Sequence, residues 1–134
     1  MEILYRNNKN VTSLLKYHFI FCPRYRRKIF LIDGVKERFK ELIRNKCAEL
    51  QIEIISMECG EDHAYLFLDC LPDHSPSDIM QALKSYTSKV LREEFDQLSK
   101  MPGLWTRSYC VSTKEDISDE AIKNYVNQQK KKYY

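Results

Sequence analysis

A chain of 134 residues, 43% hydrophobic and 31% charged, suits one packed core, so a single domain over 1–134 is expected. Lys and Arg number 22 against 19 acidic residues, a formal net charge of +3, so affinity for a polyanion has to come from local clustering. Five cysteines (Cys22, Cys47, Cys59, Cys70, Cys110) lie far apart without a CxxC pair, which excludes a disulfide scaffold and points to free thiols in a reducing compartment, the cytoplasm. The polar start MEILYRNNKN lacks the apolar core of a signal peptide, and no apolar run reaches the length of a membrane span.

In chain order, Leu14 to Cys22 (LLKYHFIFC) reads as an aromatic, apolar strand ended by Pro23. PRYRRK follows. There Arg24, Arg26, Arg27 and Lys28 surround Tyr25, the mixture of cations and a stacking ring that suits a single nucleic-acid strand, and equally the make-up of a solvated basic turn. Asp33 is placed to cap a helix whose core stripe is Val35, Phe39, Leu42, Ile43, Cys47 and Leu50. Gln51 to Met57 reads as a second strand, with Cys59-Gly60 as the turn into a third.

That third strand, EDHAYLFLDC from Glu61 to Cys70, carries chemistry. Alternation puts Glu61, His63, Tyr65, Phe67 and Asp69 on one face and Asp62, Ala64, Leu66, Leu68 and Cys70 on the other. The apolar face buries itself against helices, leaving His63 and Tyr65 on rigid backbone across the sheet. Next, SPSD supplies Ser75 as N-cap, Pro76 at the first helical position and Asp78 in the first turn. A helix of about twenty residues follows, with the stripe Ile79, Leu83, Tyr86, Val90, Leu91, Phe95 and Leu98 inside. Lys84, Ser85, Ser88, Lys89 and Arg92 lie towards solvent, where Lys84 and Lys89 are within reach of phosphates. Met101-Pro102-Gly103 ends the helix, and Trp105 to Ser112 reads as the last strand.

The order βαββαβ predicts an α+β, ferredoxin-like (RRM-like) antiparallel sheet with two helices on one face and the other face open to ligands. A third helix, about 118–132, lies beyond that minimum. On it Ile122, Tyr125, Val126 and Gln129 stand at i, i+3, i+4 and i+7, so a phenol and an amide share one stripe. Such a stripe packs a helix, but an amide buried without partners costs a few kcal/mol, so Gln129 is an odd choice for packing alone.

Taken together, His63 on its strand, YVNQQ on the C-terminal helix, YHFIFCPRYRRK at the start and LWTRSYCVST before the last helix resemble the insertion-sequence 200/605 family of transposases, over nearly the whole chain. These are small tyrosine transposases of the HUH class (His, hydrophobic, His) that cut and rejoin single-stranded DNA. The resemblance implies that Tyr125 is the nucleophile, joined to the 5′ side of the cut strand without a nucleotide cofactor. It implies His63 and Gln129 as ligands of a divalent ion, Mg²⁺ or Mn²⁺. It also implies a homodimer and a DNA hairpin as the recognised element.

One position departs from the family. Tyr65 stands where the second histidine of the pair belongs, and a phenol, with an unperturbed pKa of about 10, offers no imidazole nitrogen. Glu61, expected on the same face, is the substitute ligand that hard cations favour. Three readings follow: a working transposase, a relative that binds hairpin or single-stranded DNA but cuts poorly, and an unrelated ferredoxin-like RNA binder. Against the last, the strands lack an aromatic RNP-type signature.

Overall fold

The computed structural model describes residues 6–8, 11–114 and 117–133. The central strands of its main sheet alternate as the sequence requires. In β3 (Leu15–Phe21) Tyr17, Phe19 and Phe21 point into the larger core, and in β5 (Ala64–Cys70) Ala64, Leu66, Leu68 and Cys70 join them. The helices α1 (Val35–Glu49) and α2 (Pro76–Glu94) cover that side with Phe39, Leu42, Ile43, Ile79, Met80 and Leu83. Adding β4 (Glu53–Cys59) and β6 (Cys110–Ser112) gives a four-stranded antiparallel sheet in the order β4-β5-β3-β6, the split pattern expected from the chain order. Before it, β1 (Arg6–Asn8) and β2 (Val11–Ser13) pair as a small antiparallel ribbon that the polar N-terminal sequence does not announce.

Several local expectations are corrected. Gly34, not Asp33, is the N-cap of α1, at φ 86 and with no side-chain cap. A tight 3-10 turn at Ile29–Leu31 is joined to the helix through Ile32, Asp33 and Gly34, and the last of these takes the left-handed conformation that glycine adopts without strain. Ser75 does cap α2 as expected, its Oγ accepting from the Asp78 amide at 3.0 Å with Pro76 following it. That helix stops at Glu94, however. Phe95 is extended, and a separate turn, α3 (Asp96–Ser99), carries Leu98 back into the core. The last strand is shorter than expected. Trp105 makes only an isolated bridge to Pro23, because its indole turns into the core against Phe21, Phe30 and Phe39.

The largest correction concerns the second face of the sheet. It is crossed by α4 (Asp119–Tyr133), whose Val126 packs on Ile20 and Cys22 with Tyr65, Cys110, Ile122 and Tyr125 around them. The even-numbered residues of β3 therefore have a helix of their own to pack against. No helix among the described residues is long and apolar enough to cross a membrane.

A buried hydrogen bond ties α2 to the segment before β6. The Trp105 indole Nε1–H donates to Thr87 Oγ1 at 2.9 Å, and Thr87 donates in turn to the Leu83 carbonyl at 2.8 Å. Thr87→Val keeps the shape and strands the indole N–H, so a loss of about 1–3 kcal/mol is expected in urea denaturation. An unchanged midpoint would show that the bond contributes nothing net.

Candidate active site

The His63 side of the site begins in a turn, not in a strand. Residues 60–63 close it through the Gly60 amide donating to the His63 carbonyl at 3.0 Å. The imidazole folds back over Gly60, where any Cβ would push the ring aside, so glycine lets His63 take this position. His63 Nδ1 donates to Asp62 Oδ1 at 3.2 Å, which turns Nε2 towards the adjoining cleft. Asp62 also holds Arg26, at 2.9 Å. The cleft, about 230 Å³, is lined by Glu58, Cys59, Gly60, His63 and Tyr65 and by Asp119, Ile122 and Lys123 from the first turns of α4.

Because the strand starts only at Ala64, the alternation does not reach back to Glu61. Glu61 is instead exposed, 3.4 Å from Lys28, and is absent from the cleft it was expected to line. Tyr65 does face the cleft, and its hydroxyl is 2.7 Å from Nδ1 of His18. His18, a residue the sequence reading passed over, is 2% exposed and stacks on Phe67 with centroids 3.9 Å apart. Among the described residues its Nε2 is buried without a partner. The signal was available: His18 shares the strand face of Ile20 and Cys22, where a polar side chain needs a reason to be buried.

Tyr125 and Gln129 meet at Ser108. Ser108, just before β6, donates from Oγ to Gln129 Oε1 at 2.8 Å and stands 3.4 Å from the Tyr125 hydroxyl. Its carbonyl accepts from Lys84 Nζ at 3.2 Å and from Thr106 Oγ1 at 3.3 Å. Ser108 is thus the node that fixes the phenol and the amide, and Gln129, 4% exposed, has the partner that its burial demands. From Ile122, at the cleft, to Gln129 is seven residues of helix, about 10 Å along its axis.

Each residue expected to hold a divalent ion has a definite setting in this structure. His63 is in the cleft, Gln129 is bound to Ser108, Tyr65 is bonded to His18 and Glu61 is paired with Lys28. Among the described residues no group of three or more His, Cys, Asp or Glu side chains is arranged to take a metal.

The basic turn divides into two kinds of residue. Arg24 donates from Nε to the Trp105 carbonyl at 3.2 Å, and Arg26 is bound to Asp62, so both have structural partners. Between these anchors Tyr25 and Arg26 take positive φ, 61 and 49, a left-handed path that side chains adopt only under constraint. The result is a Tyr25 ring 68% exposed, with Arg27 and Lys28 exposed beside it. On α2, Lys89 is exposed as expected, whereas Lys84 turns inward, over the Tyr109 ring and onto Ser108.

This α+β fold, a four-stranded antiparallel sheet with helices and a C-terminal helix, is shared by solved transposases. A Deinococcus radiodurans protein assigned as a transposase superposes with a TM-score of 0.83 at 27% identity, over 92% of this chain and 97% of that one. A REP-associated tyrosine transposase bound to a REP hairpin shares the fold at a TM-score of 0.58 and 12% identity, over 96% of this chain and 76% of that one. The ISDra2 transposase TnpA of Deinococcus radiodurans is 32% identical over 118 residues, 86% of this chain and 84% of its own. The family model described as Transposase IS200 like matches residues 11–129, and the chain belongs to that family.

Removing the Tyr65 hydroxyl leaves His18 with neither ring nitrogen bonded. Tyr65→Phe is accordingly expected to lower stability by about 1–3 kcal/mol in urea denaturation. A variant as stable as the parent would mean that the bond is matched by hydration in the unfolded chain.

Proposed function

We propose that this protein is a single-strand DNA transposase that cuts and rejoins its substrate through Tyr125. The observation that carries the reading is the course of α4, which bears Tyr125 and touches the basic turn at 24–26, in a chain of the IS200-like family. In this reading the Tyr125 oxygen attacks a backbone phosphorus and the bond to the 3′ oxygen breaks. The strand is left with a 3′ hydroxyl, which receives the proton the phenol gives up, and with its 5′ phosphate esterified to the protein. Attack of a 3′ hydroxyl on that ester reverses the sequence and rejoins the strand, so no nucleotide cofactor is required. Family membership removes the unrelated RNA binder from consideration.

Hairpin DNA is the partner we infer, since a protein of this fold has been solved on a REP hairpin. The working form we infer is a homodimer, with C-terminal helices packed between or across subunits. Five thiols, none in a disulfide, suit the cytoplasm. A specific observation also favours the second reading, a DNA-binding relative that cuts weakly: Gln129 and Tyr65 are both engaged away from His63, with Ser108 and His18.

Incubation with single-stranded DNA in Mn²⁺-containing buffer separates the two. A covalent adduct resistant to denaturing gels is expected for the parent and none for Tyr125→Phe, with DNA binding retained in both. Binding without adduct in the parent would leave only the weaker reading. Exposed Arg27 is the better phosphate contact in the basic turn, and Arg27→Ala should flatten the salt dependence of DNA affinity by about one unit of slope. Arg26→Ala, which breaks the Asp62 pair, should act instead through stability. Equal slopes for Arg27→Ala and the parent in fluorescence anisotropy would exclude that contact.

A further inference from the structure

A groove of about 430 Å³ runs between α2 and the 103–109 segment, on the far side of Ser108 from Tyr125. Among the described residues its lining includes Lys84 and Arg107, with hydroxyls from Ser85, Ser88 and Thr106, and no carboxylate. Lys84 is the unusual member. An ammonium has three N–H donors, and the bond to the Ser108 carbonyl uses one. Burial lowers its pKa to about 8, the mark of a cation taken from water without an anion beside it. Arg107, at the rim, is exposed.

We propose that this groove binds a phosphate of the same DNA strand that Tyr125 attacks, with Lys84 and Arg107 as its cations and the serine hydroxyls as further donors. The inference rests on the transposase reading. Ser108 makes the link, since its carbonyl holds Lys84 on the groove side while its hydroxyl meets Tyr125 and Gln129 on the other. A strand lying over this edge of the sheet presents one phosphate to the phenol and another to the groove. Lys84 then gains the anion that its buried position lacks, and the strand is fixed in register next to the nucleophile.

The test uses the full-length protein and a fluorescent single-stranded oligonucleotide of about 12 nucleotides, a length typical of such sites. With Lys84→Met and Arg107→Gln together, affinity is expected to fall about tenfold or more and the salt slope by about two units. Arg107→Gln alone, an exposed substitution that leaves the fold intact, should account for about one of these. Reductively methylated lysines give a second readout, in which the Lys84 signal should move on adding the oligonucleotide. Parent-like affinity and slope in Arg107→Gln and the double variant, or a Lys84 signal moved by inorganic phosphate but not by DNA, would overturn the assignment. The two readings fail separately. Adducts formed at the parental rate by the double variant count against the groove alone, whereas groove-dependent binding with no Tyr125 adduct counts against the transposase.

Discussion

Both faces of the central strand β3 are buried, and the rest of the molecule follows from that constraint. Phe19 and Phe21 on one side require α1 and α2, while Ile20 and Cys22 on the other require α4. Covering those side chains removes apolar surface from water at about 25 cal/mol per Å², the gain that draws α4 onto this face. The helix that buries Ile20 with Val126 also carries Tyr125. Packing and chemistry are therefore coupled, because the residue that fixes the helix lies next to the residue it presents.

Polar anchors then decide what each end of α4 meets. At its start the cleft holds His63, turned by Asp62, and Tyr65, held by His18. Further along, Ser108 holds Tyr125 and Gln129. Each anchor satisfies a polar group whose burial would otherwise be costly. Asp62 joins this system to the basic turn through Arg26, so the loop that exposes Tyr25, Arg27 and Lys28 is braced by the same turn that sets His63.

Much of this was legible in the chain. The alternation of LLKYHFIFC and AYLFLDC, the Ser75-Pro76 cap and the helical stripes are local patterns, and they produced the right order of elements and the right inward faces. Tyr125 and Gln129 were legible as a pair because helical spacing is local as well. Ser108 and Asp62 were not, since each matters through a partner many residues away or through a loop conformation that no periodicity encodes, and for His18 the buried face was legible but its partner Tyr65 was not. Glu61 was misplaced for the same reason: alternation holds only where strand geometry holds, and a glycine turn interrupts it.

By itself, then, the sequence determined the class of fold and the placing of Tyr125 and Gln129 on one stripe of a C-terminal helix. These depend on patterns whose periods, two for strands and 3.6 for helices, are set by backbone geometry. Tertiary structure alone decided that α4 covers the second face, that Lys84 turns inward while Lys89 does not, and that His63 and Gln129 end in separate clusters. Each of those outcomes turns on where distant segments meet, and on which buried polar group finds a partner there.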